Sequence, residues 1–271
     1  MSAKQKPTSQ IRLSWLAASL VAGALITTPS LAHKTFLAPD RYVWAVGDTV
    51  EIALTSGLAF PDIESGPALD RIAFTSIMLD NQPVSDIEYE AGETFLNVSF
   101  QAQTPGLAVI AMSTLPRFGE IAPDDANAYL EEIEADAATH QAFEALPGTP
   151  VLNRSYIKHT KTFICVQTCE TGQESSFTPI GQTLEFVAVA ARTRTFQLLR
   201  DGDLVAGHRV MIYAHDGSHQ EAISDEDGLV TIDSAIAGIS LLSAIWITLP
   251  DQADGVYHSD QATLTVDLAI H

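Results

Sequence analysis

The residues of this chain best suited to chemistry are histidines and cysteines, and they sit in three places. His33 follows Ser30-Leu31-Ala32, the small-x-small pattern that signal peptidase reads. Cleavage after Ala32 would give one residue both an α-amine and an imidazole, a chelating pair that assembles without folding. The freed amine has an ordinary pKa of about 7.7–8.0, so a metal ion can displace its proton at neutral pH. Two nitrogens suit nickel, copper or zinc, with copper the strongest in the Irving–Williams order. The competing reading is a terminal histidine that stays mobile. His215 and His219 flank Asp216-Gly217-Ser218. A two-residue turn at Asp216-Gly217 sets His215 opposite Ser218; a three-residue loop sets it opposite His219, and only that register makes a metal pair. Cys165 and Cys169 are spaced C-x3-C. In an exported chain they read as a disulfide closing a small loop, or else as a thiolate pair for copper(I) completed by a distant histidine such as His159.

Export itself is written in the first residues. Lys4, Lys6 and Arg12 form a basic start, Leu13 to Ile26 is almost unbroken apolar sequence, and Pro29 breaks any helix before the small-residue site. The apolar run is shorter than the roughly 18–20 residues a membrane span needs. Residues 1–32 therefore read as a secretory signal peptide, leaving a periplasmic product without direct membrane insertion. All three leader charges are basic, so the remaining chain holds 11 Lys and Arg against 34 Asp and Glu, a net charge near −23. Such a polyanion repels nucleic acid and draws cations. It is also what ordinary solubility looks like.

The elements that must position these residues are mostly strands. Val50 to Leu54, Ile72 to Leu79, Phe95 to Phe100 and Leu107 to Met112 are short β runs separated by Gly and Pro turns. A helix follows: Pro123-Asp124-Asp125 makes an acidic first turn, and Ala126, Tyr129, Leu130, Ile133 and Ala137 recur at helical spacing until Leu146-Pro147-Gly148. A second β region starts beyond the cysteine loop, with Asp-Gly hairpin turns at Asp201-Gly202, Asp216-Gly217 and Asp227-Gly228. The expected fold is mainly β, with two sandwich domains and one helix between them. The divisions are an N-terminal sandwich over 33–120, a helix and connecting segment with the cysteine loop over 121–180, and a C-terminal sandwich over 181–271. No nucleophile elbow, phosphate loop, nucleotide fingerprint or HExxH motif occurs, so the reading is non-enzymatic.

Taken in order, several segments carry a family resemblance. These are Ala32-His33-Lys34-Thr35-Phe36-Leu37-Ala38-Pro39, Gly47-Asp48-Thr49-Val50 and Asn127-Ala128-Tyr129-Leu130-Glu131-Glu132. Tyr156-Ile157-Lys158-His159-Thr160-Lys161, Ile164-Cys165-Val166, Gly181-Gln182-Thr183-Leu184-Glu185, Asp201 to Val210 and Asp225-Glu226-Asp227-Gly228 complete the set. Over nearly the whole exported chain the protein resembles the bacterial periplasmic component of cobalt/nickel uptake systems, a family otherwise labelled as a domain of unknown function. The resemblance implies two immunoglobulin-like sandwiches, a divalent transition metal (nickel or cobalt, with copper and zinc as alternatives) and a membrane metal transporter as partner. His33 aligns with the family's terminal histidine. Trp246 stands where relatives often carry a histidine in the penultimate long strand, which implies either that this ligand is lost or that His258 takes its place. Two other classes stay open: a structural or adhesive envelope module, and a copper oxidase holding its metal between an N-terminal histidine and one further histidine.

Overall fold

The computed structural model describes residues 33–252 and 255–270, so the expected leader lies outside the described residues. Strands β1 (Lys34–Pro39), β2 (Val43–Trp44), β3 (Thr49–Gly57), β4 (Ile72–Leu79), β5 (Gln82–Pro83), β6 (Ile87–Ala91), β7 (Leu96–Gln101), β8 (Gly106–Thr114) and β9 (Arg117–Ile121) come first. Helices α1 (Pro123–Glu132) and α2 (Ala137–Glu144) follow, then the 15-residue β10 (Leu152–Val166) and the one-turn α3 (Glu174–Phe177). The chain closes with β11 (Leu184–Ala188), β12 (Thr195–Arg200), β13 (Asp203–Leu204), β14 (Arg209–Ala214), β15 (His219–Ile223), β16 (Leu229–Thr231), β17 (Ile239–Thr248) and β18 (Tyr257–Asp267).

A ten-stranded sheet organises the molecule. Its order is β15-β14-β17-β18-β10-β8-β4-β5, with β2 and β9 also paired to β10. Strands from both expected sandwiches thus share one sheet. The segment expected to connect them contributes β10, the longest strand, at its centre. A sheet of β1-β3-β7-β6 and a smaller one of β11-β12-β13 with β16 are separate from it.

Side-chain alternation explains how one sheet serves two cores, because successive residues of a strand point to opposite faces. Along β8, Ala108, Ile110 and Met112 join Val50, Ile52, Leu54, Val98 and Phe100 in one buried cluster. The intervening Leu107 and Val109 join Phe163, Phe186, Phe196, Leu198, Leu242 and Leu264 in another. The β1-β3-β7-β6 sheet and the β11-β12 sheet therefore pack against opposite faces. Removing such side chains from water is worth about 1.5–3 kcal/mol each, which is why these two clusters hold the three sheets together.

The expected single helix is broken in two. Glu134 takes a left-handed φ of 58°, ending α1, and the Asp136 carboxylate accepts from the Thr139 N–H at 2.7 Å to start α2. Tyr129, Leu130 and Ile133 pack with Phe143, Leu152 and Tyr257 against the end of β10 and β18. Among the described residues no helix is long and apolar enough to cross a membrane.

Candidate binding cleft

Strands β10 and β18 run parallel, pairing Tyr156 with Ser259 and Lys158 with Gln261. These four residues face one side, where they line a cavity of about 690 Å³ with Arg154, Tyr129, Arg71, Arg117 and His33. Strand β1 crosses over this face, tied down by the Thr263 hydroxyl, which donates to the Thr35 carbonyl at 2.7 Å. That crossing brings His33 to the cleft.

The cleft is polar and rich in cations. The Lys158 Nζ donates to the His33 carbonyl at 3.3 Å and to Gln261 Oε1 at 2.5 Å. Burial pushes the Lys158 pKa down to about 7; Arg154 and Lys34 add repulsion and Glu132 opposes it. The Arg154 Nη1 donates to the Tyr129 hydroxyl at 3.1 Å. Its guanidinium lies over the Tyr129 ring at 4.6 Å and the Tyr156 ring at 5.1 Å. Arg71 is fixed through its Nη2 on the Leu115 carbonyl at 2.6 Å. Burial raises the Glu132 pKa, offset in part by His33, Lys34, Lys158 and Arg154.

The other face of the same strand pair carries a different network. The Ser113 hydroxyl meets His159 Nδ1 at 2.9 Å, and His159 Nε2 meets Asp260 Oδ1 at 3.2 Å. His258 Nε2 stands 3.5 Å from Asp260 Oδ2, and its Nδ1 meets the Ser155 hydroxyl at 2.7 Å. One carboxylate thus serves two histidines, each ending on a serine. The composition is that of a hydrolytic triad, but Ser155 is only 4% exposed. Ser113 is buried as well, and the network satisfies polar groups removed from water.

The residues expected to bind metal are dispersed. His33 Nε2 meets Glu64 Oε2 at 3.0 Å, with both side chains more than a third exposed. His258 lies on the face of β18 opposite to the cleft that His33 lines. In the β14–β15 hairpin Tyr213 opposes His219, and the Ala214 N–H donates to the Ser218 carbonyl at 2.8 Å. The loop is therefore three residues long but begins one residue earlier than expected, so His215 sits inside the turn and faces no histidine. Cys165 and Cys169 are bridged as a disulfide, with Cα atoms 5.0 Å apart. Trp246 stacks on His208 at 5.3 Å and carries Arg200 over its ring at 4.6 Å. Among the described residues no group of three or more His, Cys, Asp or Glu could hold a metal ion. The cations of the cleft escaped the sequence reading because Arg71, Arg117 and the Arg154–Lys158 pair come from three separate stretches. The one available signal was the period-two spacing of Arg154, Tyr156 and Lys158.

A family model described as "Domain of unknown function (DUF4198)" matches residues 30–248. That description names no function, so it lends no support to a role in nickel or cobalt uptake. No curated protein matches the chain significantly. Among solved structures, the fibronectin(III)-like modules of Clostridium thermocellum CbhA share 11% identity, with 85% of this chain and 93% of that chain covered and a TM-score of 0.19. The full ectodomain (Ig1–Ig3) of mouse nectin-like molecule 4 shares 10% identity, with 86% and 64% covered and a TM-score of 0.15.

Proposed function

The chain belongs to the DUF4198 family, and from that premise we propose that it is an exported, non-enzymatic binding protein of the periplasm. The observation that carries this reading is the cleft beside His33. Its volume of about 690 Å³ falls within the roughly 300–1,000 Å³ typical of small-molecule sites. Three of its cationic donors, Arg117, Arg154 and Lys158, are held by the paired strands β9 and β10, which fixes their geometry before a ligand arrives. The test is a thermal-shift screen of the protein beginning at His33 against organic acids, sugars, amino acids and divalent metals. A ligand found this way should lose affinity in Ser65→Trp, which fills the cleft from an exposed loop. Ligands that bind Ser65→Trp as tightly as the parent would overturn the reading.

A second reading is favoured by the His33–Glu64 contact. Both side chains are open to solvent at the cleft. After cleavage the His33 amine and Nδ1 would form a chelate, with the ring oriented by Glu64 on Nε2. Two donors fall short of the four that a closed structural site uses, so a nickel or cobalt ion there would keep open positions. Such exchangeable binding suits a carrier that delivers metal to a membrane transporter. Calorimetry with nickel and cobalt should show binding that vanishes when one alanine precedes His33. Equal affinity in the extended protein would refute the chelate.

A further inference from the structure

The charge census around the cleft is out of keeping with the rest of the molecule. Beyond residue 32 the chain has far more acids than bases, so a basic side chain should readily find a carboxylate. Arg41, Lys161, Arg192, Arg200 and Arg209 do. Among the described residues, Lys34, Arg71, Arg117, Arg154, Lys158 and Arg194 have no carboxylate oxygen within ion-pair distance, and four of these six line this one cleft. Asp70 is the one carboxylate of the lining; nearby, Glu64 is taken up by His33, and Glu132 reaches Lys158 and Arg154 only through space.

Two details sharpen the point. The hydrogen bonds of Lys158 Nζ go to neutral oxygens, those of His33 and Gln261, and Glu132 acts on its charge only from beyond ion-pair distance. The Arg154 Nε is buried without a hydrogen-bond partner, and a buried donor left unmet costs free energy that a ligand acceptor would return. Tyr129, Tyr156, Ser259 and Thr114 add hydroxyls to the same walls.

We propose that this cleft is a receptor site for a small polyanion carrying two or more carboxylate or phosphate groups, anchored by Arg154 and Lys158 and met by Arg71 and Arg117. The proposal rests on the binding-protein reading and supplies its ligand class. Guanidinium groups match planar carboxylates and phosphates through paired hydrogen bonds, and such charge-assisted bonds are about twice as strong as neutral ones. An otherwise polyanionic surface makes the cleft the place where an anion's field turns favourable.

Calorimetry and thermal shift on the protein beginning at His33, at low ionic strength, test this with citrate, inorganic phosphate, a hexose phosphate and glucose. Citrate or a phosphate should bind and raise the melting temperature, and glucose should not. Binding of citrate alone identifies the carboxylate class; binding of the phosphates alone identifies the phosphate class. Arg154→Gln should weaken the anion by about tenfold or more. Arg117→Gln, at an exposed position where folding is not at risk, should weaken it severalfold. Arg192→Gln, which removes an exposed charge elsewhere, should change nothing. Anion affinity unmoved in both cleft variants would overturn the proposal. So would a neutral solute that binds and is displaced by Ser65→Trp while no anion binds, an outcome that leaves the binding-protein reading standing. Failure of every solute to bind would remove both.

Discussion

Lys161 and Glu185 offer the most searching test of how the sheets are joined. The Lys161 Nζ donates to Glu185 Oε2 at 2.7 Å and to the Phe186 carbonyl at 2.8 Å. Glu185 also accepts the backbone N–H groups of Ile180 and Gly181, each at 3.1 Å. Both side chains are almost fully buried, and the pair ties β10 in the large sheet to β11 in the small one. Desolvation pulls the Lys161 pKa down, and Glu185 opposes that shift. Lys161→Met removes the cation and strands a buried carboxylate. Breaking a buried pair in this way costs about 3–5 kcal/mol, roughly two to four powers of ten in the unfolding constant. Against a typical total stability of about 5–15 kcal/mol that is a large fraction. The double variant Lys161→Met/Glu185→Met removes both charges but leaves the Ile180 and Gly181 N–H groups unmet, so it should recover part of the loss and not all of it. Urea unfolding followed by tryptophan fluorescence and circular dichroism measures each term, with coincident transitions as the check on two-state behaviour. A cost below about 1 kcal/mol for Lys161→Met would place the pair in the range of exposed ion pairs and refute its role as a buried joint.

Other outcomes follow from single features. Burial depresses the His208 pKa, so its contribution is intact above the ordinary histidine pKa and is lost as pH falls. His208→Phe, which keeps the stacking on Trp246, should flatten the fall in urea midpoint between pH 7 and pH 5. An unchanged slope would contradict that assignment. Asp136→Ala removes the cap that starts α2 and should cost about 1 kcal/mol at neutral pH by urea titration. The parent should lose this term in acid, because the Thr139 bonds hold the Asp136 pKa below its usual value. The Cys165–Cys169 bridge closes a very short loop, so Cys169→Ser should cost less than the ~3 kcal/mol of a 15-residue loop. Mass spectrometry of the native protein without reductant should find the bridge, and two free thiols there would count against it.

The sequence made the strands legible wherever apolar residues alternate or cluster, as in Val50 to Leu54 and Leu107 to Met112, and wherever Asp-Gly marks a turn. Asp201 and Gly202 have φ values of 51° and 86°, the positive pair a tight hairpin demands. The spine of the molecule was far less visible. From Arg154 to Thr162, β10 is almost wholly polar, because one face meets the cleft and the other meets the histidine–aspartate network. Hydrophobic alternation cannot appear where both faces are polar. His33, which the sequence marks out by its place after the small-residue motif, lines the cleft. The cations around it were not legible, since Arg117 reaches Arg154 and Lys158 through the β9–β10 pairing and Arg71 through its bond to Leu115. Their polar neighbours Ser259 and Gln261 arrive through the pairing of β10 with β18, about a hundred residues away in sequence.

That pairing also protects the protein from folding into the wrong version of itself. Because side chains alternate, a slip of one residue between β10 and β18 would misalign both faces at once. Tyr156 would lose Ser259, Lys158 would lose Gln261, and Ser155 would lose its place beside His258. Turned over, β10 would carry Arg154 and Lys158 to the face that holds His159, Lys161 and Phe163, leaving their charges among partners already matched to others. Mispaired intermediates would therefore be rejected by electrostatics, not merely by poor packing. A strand that looks unpromising for its polarity gains from it a single permissible alignment.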